Sequence, residues 1–132
     1  MKHQIGFMQG RLCSLVNGKI QAFPWENWKT EFSEAEKINI HLMEWTLDQE
    51  RLYENPLMNE AGQAEIIALC NKHNFKIRSL TGDCFMQAPF YKVETSLRPA
   101  LIKNFKDIVI ACYKVGIEMI VIPLVYAECV FG

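Results

Sequence analysis

Two carboxylates near the ends of predicted strands are the chain's first candidates for chemistry. Glu44 lies near the carboxyl end of an apolar segment at residues 40–45, and Asp83 follows a second such segment at residues 76–80. A carboxylate at such a position can accept a hydrogen bond from a substrate or move a proton, so both are candidate catalytic residues. The competing interpretation of Asp83 is a turn or capping aspartate, which is a common role.

Three further residues are candidates for binding a substrate: Gln9 and Arg11 after the first strand, and Trp45 beside Glu44. An arginine binds phosphate or carboxylate groups through two parallel hydrogen bonds, and an aromatic ring packs on an apolar face of a ligand. The competing interpretations are a solvated loop arginine, a ring packed beneath a loop, and a structural salt bridge from Glu44 to Arg11 or Arg78.

Motifs for a resident metal, a nucleotide or a serine nucleophile are absent from the sequence. His3, His41 and His73 do not have the spacing of a metal-binding pair. The glycine-rich phosphate loops and the G-x-S-x-G elbow do not occur. Cys84 follows Asp83 but has no evident histidine partner. The sequence therefore predicts no metal ligand in this chain.

A junction that occurs three times predicts the elements that position these residues. Each copy has a basic residue, then Asn39, Asn74 or Gly116 where a left-handed helix cap is needed, then a short apolar strand. With a strand at the start, the order is β-α-β-α-β-α-β, which predicts a parallel sheet with right-handed crossovers. The loops after the strands are long and varied, and α/β folds place their sites there.

The bounds of these elements follow from apolar periodicity and cap residues. The predicted strands are residues 4–8 or 4–9, 40–45, 76–80 and 118–125. The predicted helices are residues 26–38 or 27–38, 59–73 and about 95–115. Periodicity places Trp28, Phe32, Ala35 and Ile38 of the first helix, Ala64, Ile67 and Ala68 of the second, and Leu101, Phe105, Ile108, Val109 and Cys112 of the third on inward faces.

Size and composition narrow the classes of function. The chain has 132 residues, of which 50% are hydrophobic and 22% charged, so one globular domain over residues 1–132 is expected. A formal charge of −1 gives no basic field for nucleic acid. Neither a signal peptide nor a run of about 18 apolar residues is present, so no membrane association is expected. The odd set of five cysteines, without a C-x-x-C pair, favours the cytoplasm.

Four short phrases resemble one family when they are taken in order. They are IGFMQGR at 5–11, LMEW at 42–45, SLTGD at 79–83 and IVIPL at 120–124. They resemble the sugar-phosphate isomerase/epimerase group of xylose-isomerase-like TIM barrels. A complete barrel of this type has about 250 residues. The resemblance therefore implies the N-terminal half only: an α/β fold, a parallel (β/α) half barrel of TIM type with four strands and three helices.

The resemblance also implies a function. Enzymes of this group hold a sugar or sugar phosphate over a divalent metal (Mn, Mg or Zn), and a carboxylate removes the proton beside the carbonyl while the metal stabilises the enediolate. Their metal ligands come mainly from strands five to eight, so no ligand is assigned here, and this chain alone is expected to be inactive. Glu44, Asp83 and Arg11 would face the substrate.

Two alternatives remain open. The first is a non-catalytic module that binds sugar or assembles with itself. The second, an apurinic-site nuclease of the same superfamily, requires metal-binding histidines after strands three and four and a basic groove, and the sequence has neither.

A half barrel would leave the inner face of its sheet bare. Parallel sheets are normally covered on both faces, so inner residues such as Phe7, Leu42 and Val121 would be exposed. We therefore expect a homodimer or another form of self-association through this face. The ending YAECVFG at 126–132 departs from the family pattern, which lets us hypothesise a truncated or altered reading frame.

Overall fold

The computed structural model describes residues 3–124, and its strands form one open, all-parallel sheet in the order β1-β2-β3-β4. The strands are β1 (Phe7–Met8), β2 (Leu42–Thr46), β3 (Lys76–Thr81) and β4 (Met119–Val121). The α-helices are α1 (Thr30–Lys37), α2 (Glu60–Lys72), α3 (Asp83–Gln87) and α4 (Arg98–Val115).

The predicted α/β class and parallel sheet are confirmed. The prediction of three helices is wrong, because α3 forms in a segment expected to be a loop. The predicted end of the fourth strand and the tail at 126–132 lie outside the described residues.

Left-handed residues return the chain from each crossover helix to the sheet, as the sequence predicts. Asn39, Asn74 and Gly116 have φ angles of 58°, 48° and 87°. The next residue then bonds back to the helix, as when the Ile117 N–H donates to the Cys112 carbonyl at 2.9 Å. These short turns fix the amino ends of the strands, at the end of the sheet opposite the long loops.

The start of α2 combines a cap with a close backbone contact. The Asn59 side chain accepts a hydrogen bond from the Gly62 N–H at 2.8 Å, which is the N-cap that the sequence predicts. A Cβ on Gly62 would lie 2.2 Å from the Pro56 carbonyl oxygen, so only glycine fits there. This contact packs α2 on the 3-10 turn Pro56–Met58 and sets its rotation.

One face of the sheet is buried beneath the helices. Met43 and Trp45 of β2 and Leu80 of β3 are at most 1% exposed, and they pack with Phe32 and Ala35 of α1. Alternate residues of a strand point to opposite faces, so the intervening side chains leave this core.

The predicted inward faces of the helices are partly wrong. Ile38 and Ile67 are 55% and 43% exposed, and Ala64 and Ala68 are exposed as well. The helix α2 buries Gln63 and Ile66 instead, because its first turns are fixed against the 3-10 turn.

The longest helix, α4, begins with a proline in its first turn and covers the sheet with a narrow stripe. Ile108 and Cys112 are buried as predicted, but Val109 is 42% exposed. Among residues 3–124, no helix is both long enough and apolar enough to cross a membrane.

The opposite face of the sheet is open, and we call it the concave face. Met8 pairs in register with Glu44, Glu44 with Ser79, and Ser79 with Met119, so all four side chains share it. They border a groove of about 430 Å³. Residue Met119 is 56% exposed, and Val121, two residues on, is 48% exposed.

The expected position of Phe7 on the open face is wrong. Phe7 pairs in register with Met43 of the buried face, and its ring lies 6.2 Å from that of Phe75. Met8 occupies the position on the concave face instead. The strand β1 is only two residues long, so its alternation could not be read from a longer apolar pattern.

Candidate functional site

Three carboxylates gather where β2 and β3 end. Glu44 is on β2, Asp48 follows β2 in the next loop, and Asp83 opens α3 directly after β3. The charges of Asp48 and Glu44 are close enough to raise the pKa of Asp83, in addition to the larger effect of its burial. The sequence predicts Glu44 and Asp83 as candidates, and the structure brings both to the same edge of the sheet.

Asp83 is a buried carboxylate with a long-range partner. It is 4% exposed, and the Gln21 Nε2 donates to its two oxygens at 2.8 and 2.9 Å. Burial raises the pKa of Asp83 most, the neighbouring carboxylates raise it further, and the Gln21 hydrogen bonds oppose this. The carboxyl group therefore holds a proton to higher pH than an exposed aspartate does.

A glycine makes the position of Asp83 possible. A Cβ on Gly82 would lie 2.3 Å from the Phe85 ring and 2.8 Å from the Val121 carbonyl oxygen. The Gly82 N–H instead donates to that carbonyl at 3.0 Å, which extends the β3–β4 pairing to the start of α3. The chain therefore passes from β3 through Gly82 directly into α3.

Asp48 connects three segments around the site. One of its oxygens accepts a hydrogen bond from the Phe23 N–H at 3.1 Å, and the other from the Gln87 Nε2 at 2.9 Å. The Gln87 Oε1 in turn accepts from the Gln49 N–H at 2.7 Å. The sequence did not single out Asp48, Gln21 or Gln87, because their partners lie far away along the chain.

Glu44 is held on the concave face by hydroxyl groups. Ser79 Oγ donates to its Oε2 at 2.7 Å, and Thr81 Oγ1 donates to Oε1. Arg78 pairs with Glu118 at 3.1 Å and does not form the alternative salt bridge to Glu44. Glu44 is half-buried and borders the concave groove, so part of its carboxylate can meet a ligand there.

Arg11 is exposed and turns back on its own loop. Its guanidinium donates to the Ile20 carbonyl oxygen and lies 3.7 Å from the Met8 sulfur. It therefore braces the loop between β1 and α1, residues 9–29, which we call loop 1. An incoming anion would have to displace the Ile20 contact.

Gln9 and Trp45 are core residues. Both are 0% exposed. The Trp45 indole N–H donates to Asn55 Oδ1 at 3.1 Å, and the Gln9 Oε1 accepts from the Thr46 N–H at 3.0 Å. Both side chains are enclosed by protein in this structure, and their contact with a substrate stays a prediction. A strand residue beside a loop can still lie beneath the helices, and periodicity alone does not tell which face is covered.

A cavity of about 570 Å³ lies between loop 1 and the loop after β2. Its lining includes Lys19, Gln21, Trp25, Asp48, Arg51 and Gln87. The Arg51 guanidinium stacks 3.9 Å above the Trp25 ring. The Arg51 backbone is left-handed, with a φ of 56°, which is uncommon for a residue other than glycine.

A metal ion does not fit the described residues. Within residues 3–124, no three His, Cys, Asp or Glu side chains converge as the ligands of a metal must. The carboxylates of Glu44, Asp48 and Asp83 each face protein donors. The divalent cation implied by the family resemblance thus has no ligand set in this part of the chain, and we derive no chemical step through it.

No family model matches this chain, and no curated protein matches it significantly. The arrangement itself offers hydrogen-bond acceptors, amide groups, a stacked aromatic ring and a carboxyl group with a raised pKa. These groups can bind a small molecule with several hydroxyls and can exchange a proton with it.

Proposed function

We propose that this chain is the N-terminal part of a sugar or sugar phosphate isomerase or epimerase, built as half of a TIM-type barrel. The observation that carries the proposal is the gathering of Glu44, Asp48 and Asp83 where two neighbouring parallel strands end. Parallel α/β folds place their sites at this end.

The residues have distinct roles in this proposal. Asp83, whose pKa is raised by burial and by neighbouring carboxylates, exchanges a proton at the carbon beside the sugar carbonyl. Glu44, on the concave face, accepts a substrate hydroxyl or takes part in the same transfer. The amides of Gln21 and Gln87 and the ring of Trp25 line the cavity that holds the polyol chain. A divalent cation would take its ligands from outside residues 3–124.

Sugar binding by the chain itself tests the proposal. Aldoses, ketoses and their phosphates are titrated while tryptophan fluorescence and saturation-transfer NMR are recorded. We expect saturable binding that weakens by about tenfold or more in Asp48→Asn, because a charged hydrogen-bond acceptor is worth about 1.5–3 kcal/mol. The matched control is Asp107→Asn, an aspartate on α4 that pairs with Lys103 outside the cavity. Absence of saturable binding by every sugar would refute the proposal.

The alternative is a non-catalytic sugar-binding or assembly module. The exposed apolar side chains of Met119 and Val121 on the concave face favour a module that assembles with itself. Calorimetric titration of a sugar with and without Mn²⁺ separates the two functions. Binding that strengthens with the cation supports the enzyme, whereas binding that ignores the cation supports the module.

We also propose a reducing, cytoplasmic location. Cys84 and Cys112 are free and buried, and burial raises the pKa of each thiol to about 12, so both behave as small apolar side chains. The partner we propose is a small sugar. A nucleic acid is a poor candidate, because the formal charge of the chain is −1.

A further inference from the structure

A second buried carboxylate, Glu31 in the first turn of α1, lies outside the candidate site. It is 0% exposed. Its Oε1 accepts hydrogen bonds from the N–H groups of Gly10 at 2.8 Å and Leu12 at 3.1 Å, and its Oε2 from Gly10 at 3.0 Å. Burial raises the pKa of this carboxyl group, and the main-chain hydrogen bonds from Leu12 and Gly10 oppose that rise. A buried charge is costly unless it is hydrogen-bonded, and these main-chain N–H groups offset part of the cost.

The two main-chain donors to Glu31, Gly10 and Leu12, lie at the start of loop 1. Gly10 has a φ of 92°, and a Cβ there would lie 3.0 Å from the Ala22 carbonyl oxygen, so this position favours glycine twice over. A left-handed residue next to a right-handed one turns successive N–H groups toward a common point, which makes a concave site for an anion. The amino end of α1 adds a favourable dipole.

Loop 1, whose start is bonded to Glu31, also contacts the carboxylates of the candidate site. Beyond Gly10, the same loop supplies the Gln21 amide to Asp83 and the Phe23 N–H to Asp48. The position of both site carboxylates therefore depends on the path of loop 1, and Glu31 fixes the beginning of that path.

We propose that the main chain of Gly10 to Leu12 is an anion-binding nest occupied by the chain's own Glu31, and that Glu31 is a positioning residue for the sugar site. The second half of this inference rests on the proposed function, and the first half does not. A nest of this kind recognises a carboxylate by its two oxygens and its charge. A small free carboxylate should therefore occupy it when the side chain is removed.

The experiment uses Glu31→Ala, with formate as the probe. Amide ¹H–¹⁵N signals of Gly10 and Leu12 report on the nest, and sugar titrations report on the site. We expect Glu31→Ala to shift both amide signals and to weaken sugar binding by about tenfold or more. Added formate should restore the signals saturably, whereas sodium chloride at equal ionic strength should not.

Two further variants make every outcome decisive. Glu34→Ala changes an acidic residue on the outer side of α1 that pairs with Lys37, and we expect it to leave the Gly10 and Leu12 signals unchanged. Glu31→Gln keeps the shape without the charge and replaces the alanine variant where that variant does not fold. Its expected result is a shift of both signals.

Unshifted Gly10 and Leu12 signals in a folded Glu31 variant would overturn the nest, and so would shifted signals in Glu31→Ala that formate does not restore. Shifted signals with unchanged sugar affinity would overturn the positioning role. A wild-type chain that binds no sugar would instead refute the proposed function, while the amide signals would still decide the nest.

Discussion

The two faces of the sheet differ far more than the alternation of their residues requires. Met43, Trp45 and Leu80 on the helix-covered face are at most 1% exposed, whereas Met119 and Val121 on the concave face are about half exposed, at 56% and 48%. Both faces carry apolar residues, and both belong to the same four strands. The difference shows that apolar sequence determines which residues can be buried, while the crossover helices determine which of them are.

The residues that stabilise the fold and the residues of the candidate site lie on different faces of the sheet. The covered face holds the packed aromatic cluster, including Trp28, Phe32 and Trp45. The concave face and the adjoining loops hold the carboxylates and the open groove. We therefore expect changes on the covered face to act on the free energy of unfolding, and changes on the concave face to act on association and binding.

The largest expected effect is that of Trp45→Ala. It removes a fully buried ring and leaves the Asn55 amide without its indole partner, so we expect a loss of about 3–5 kcal/mol in the free energy of unfolding. Urea denaturation measures it. The control, Met119→Ala on the exposed face, should cost less than about 0.5 kcal/mol. Equal losses in the two variants would abolish the contrast between the faces.

The next effect concerns self-association through the concave face. We expect the wild-type chain to pair at micromolar concentration, because covering an apolar side chain contributes about 1.5–3 kcal/mol. Val121→Lys should weaken the pairing by about tenfold or more in sedimentation. The control is Tyr113→Lys, which changes a residue 86% exposed on α4 and should leave association unchanged. A compact wild-type monomer at every concentration would contradict the expectation.

The smallest effect is a pH dependence that comes from Asp83. Its pKa in the folded chain is raised by burial and by Asp48 and Glu44, so the folded state binds the proton more tightly than the unfolded state does. The stabilisation is present below the pKa of the unfolded carboxyl group and is lost as the pH rises through the folded pKa. Urea denaturation across pH should show this fall in the wild type and a flatter profile in Asp83→Asn. An unchanged profile in Asp83→Asn would assign the fall to another group.

The sequence predicted the framework of the fold through local signals. Asn39, Asn74 and Gly116 identified the left-handed turns, and Asn59 identified the start of α2, because caps depend on neighbouring residues only. The start of α4 was predicted at about residue 95, before the observed start at Arg98.

The candidate site could be predicted only in part. Glu44 and Asp83 were identified by their places at strand ends, but the partner of Asp83 is Gln21, 62 residues away, and no local pattern connects them. Glu31 was missed for the same reason, since its donors precede it by 19 and 21 residues. The burial of Trp45 could not be predicted, because strand periodicity separates two faces without telling which one the helices cover.

The unequal lengths of the strands have a consequence for aggregation. The central strands β2 and β3 have five and six residues, while the outer strands β1 and β4 have two and three. A border that offers so few free backbone groups is a poor template for the addition of strands from other chains. Growth into fibrils along the edge is thereby discouraged, and contacts through the broad face lead more readily to a closed, finite complex than to an endless one.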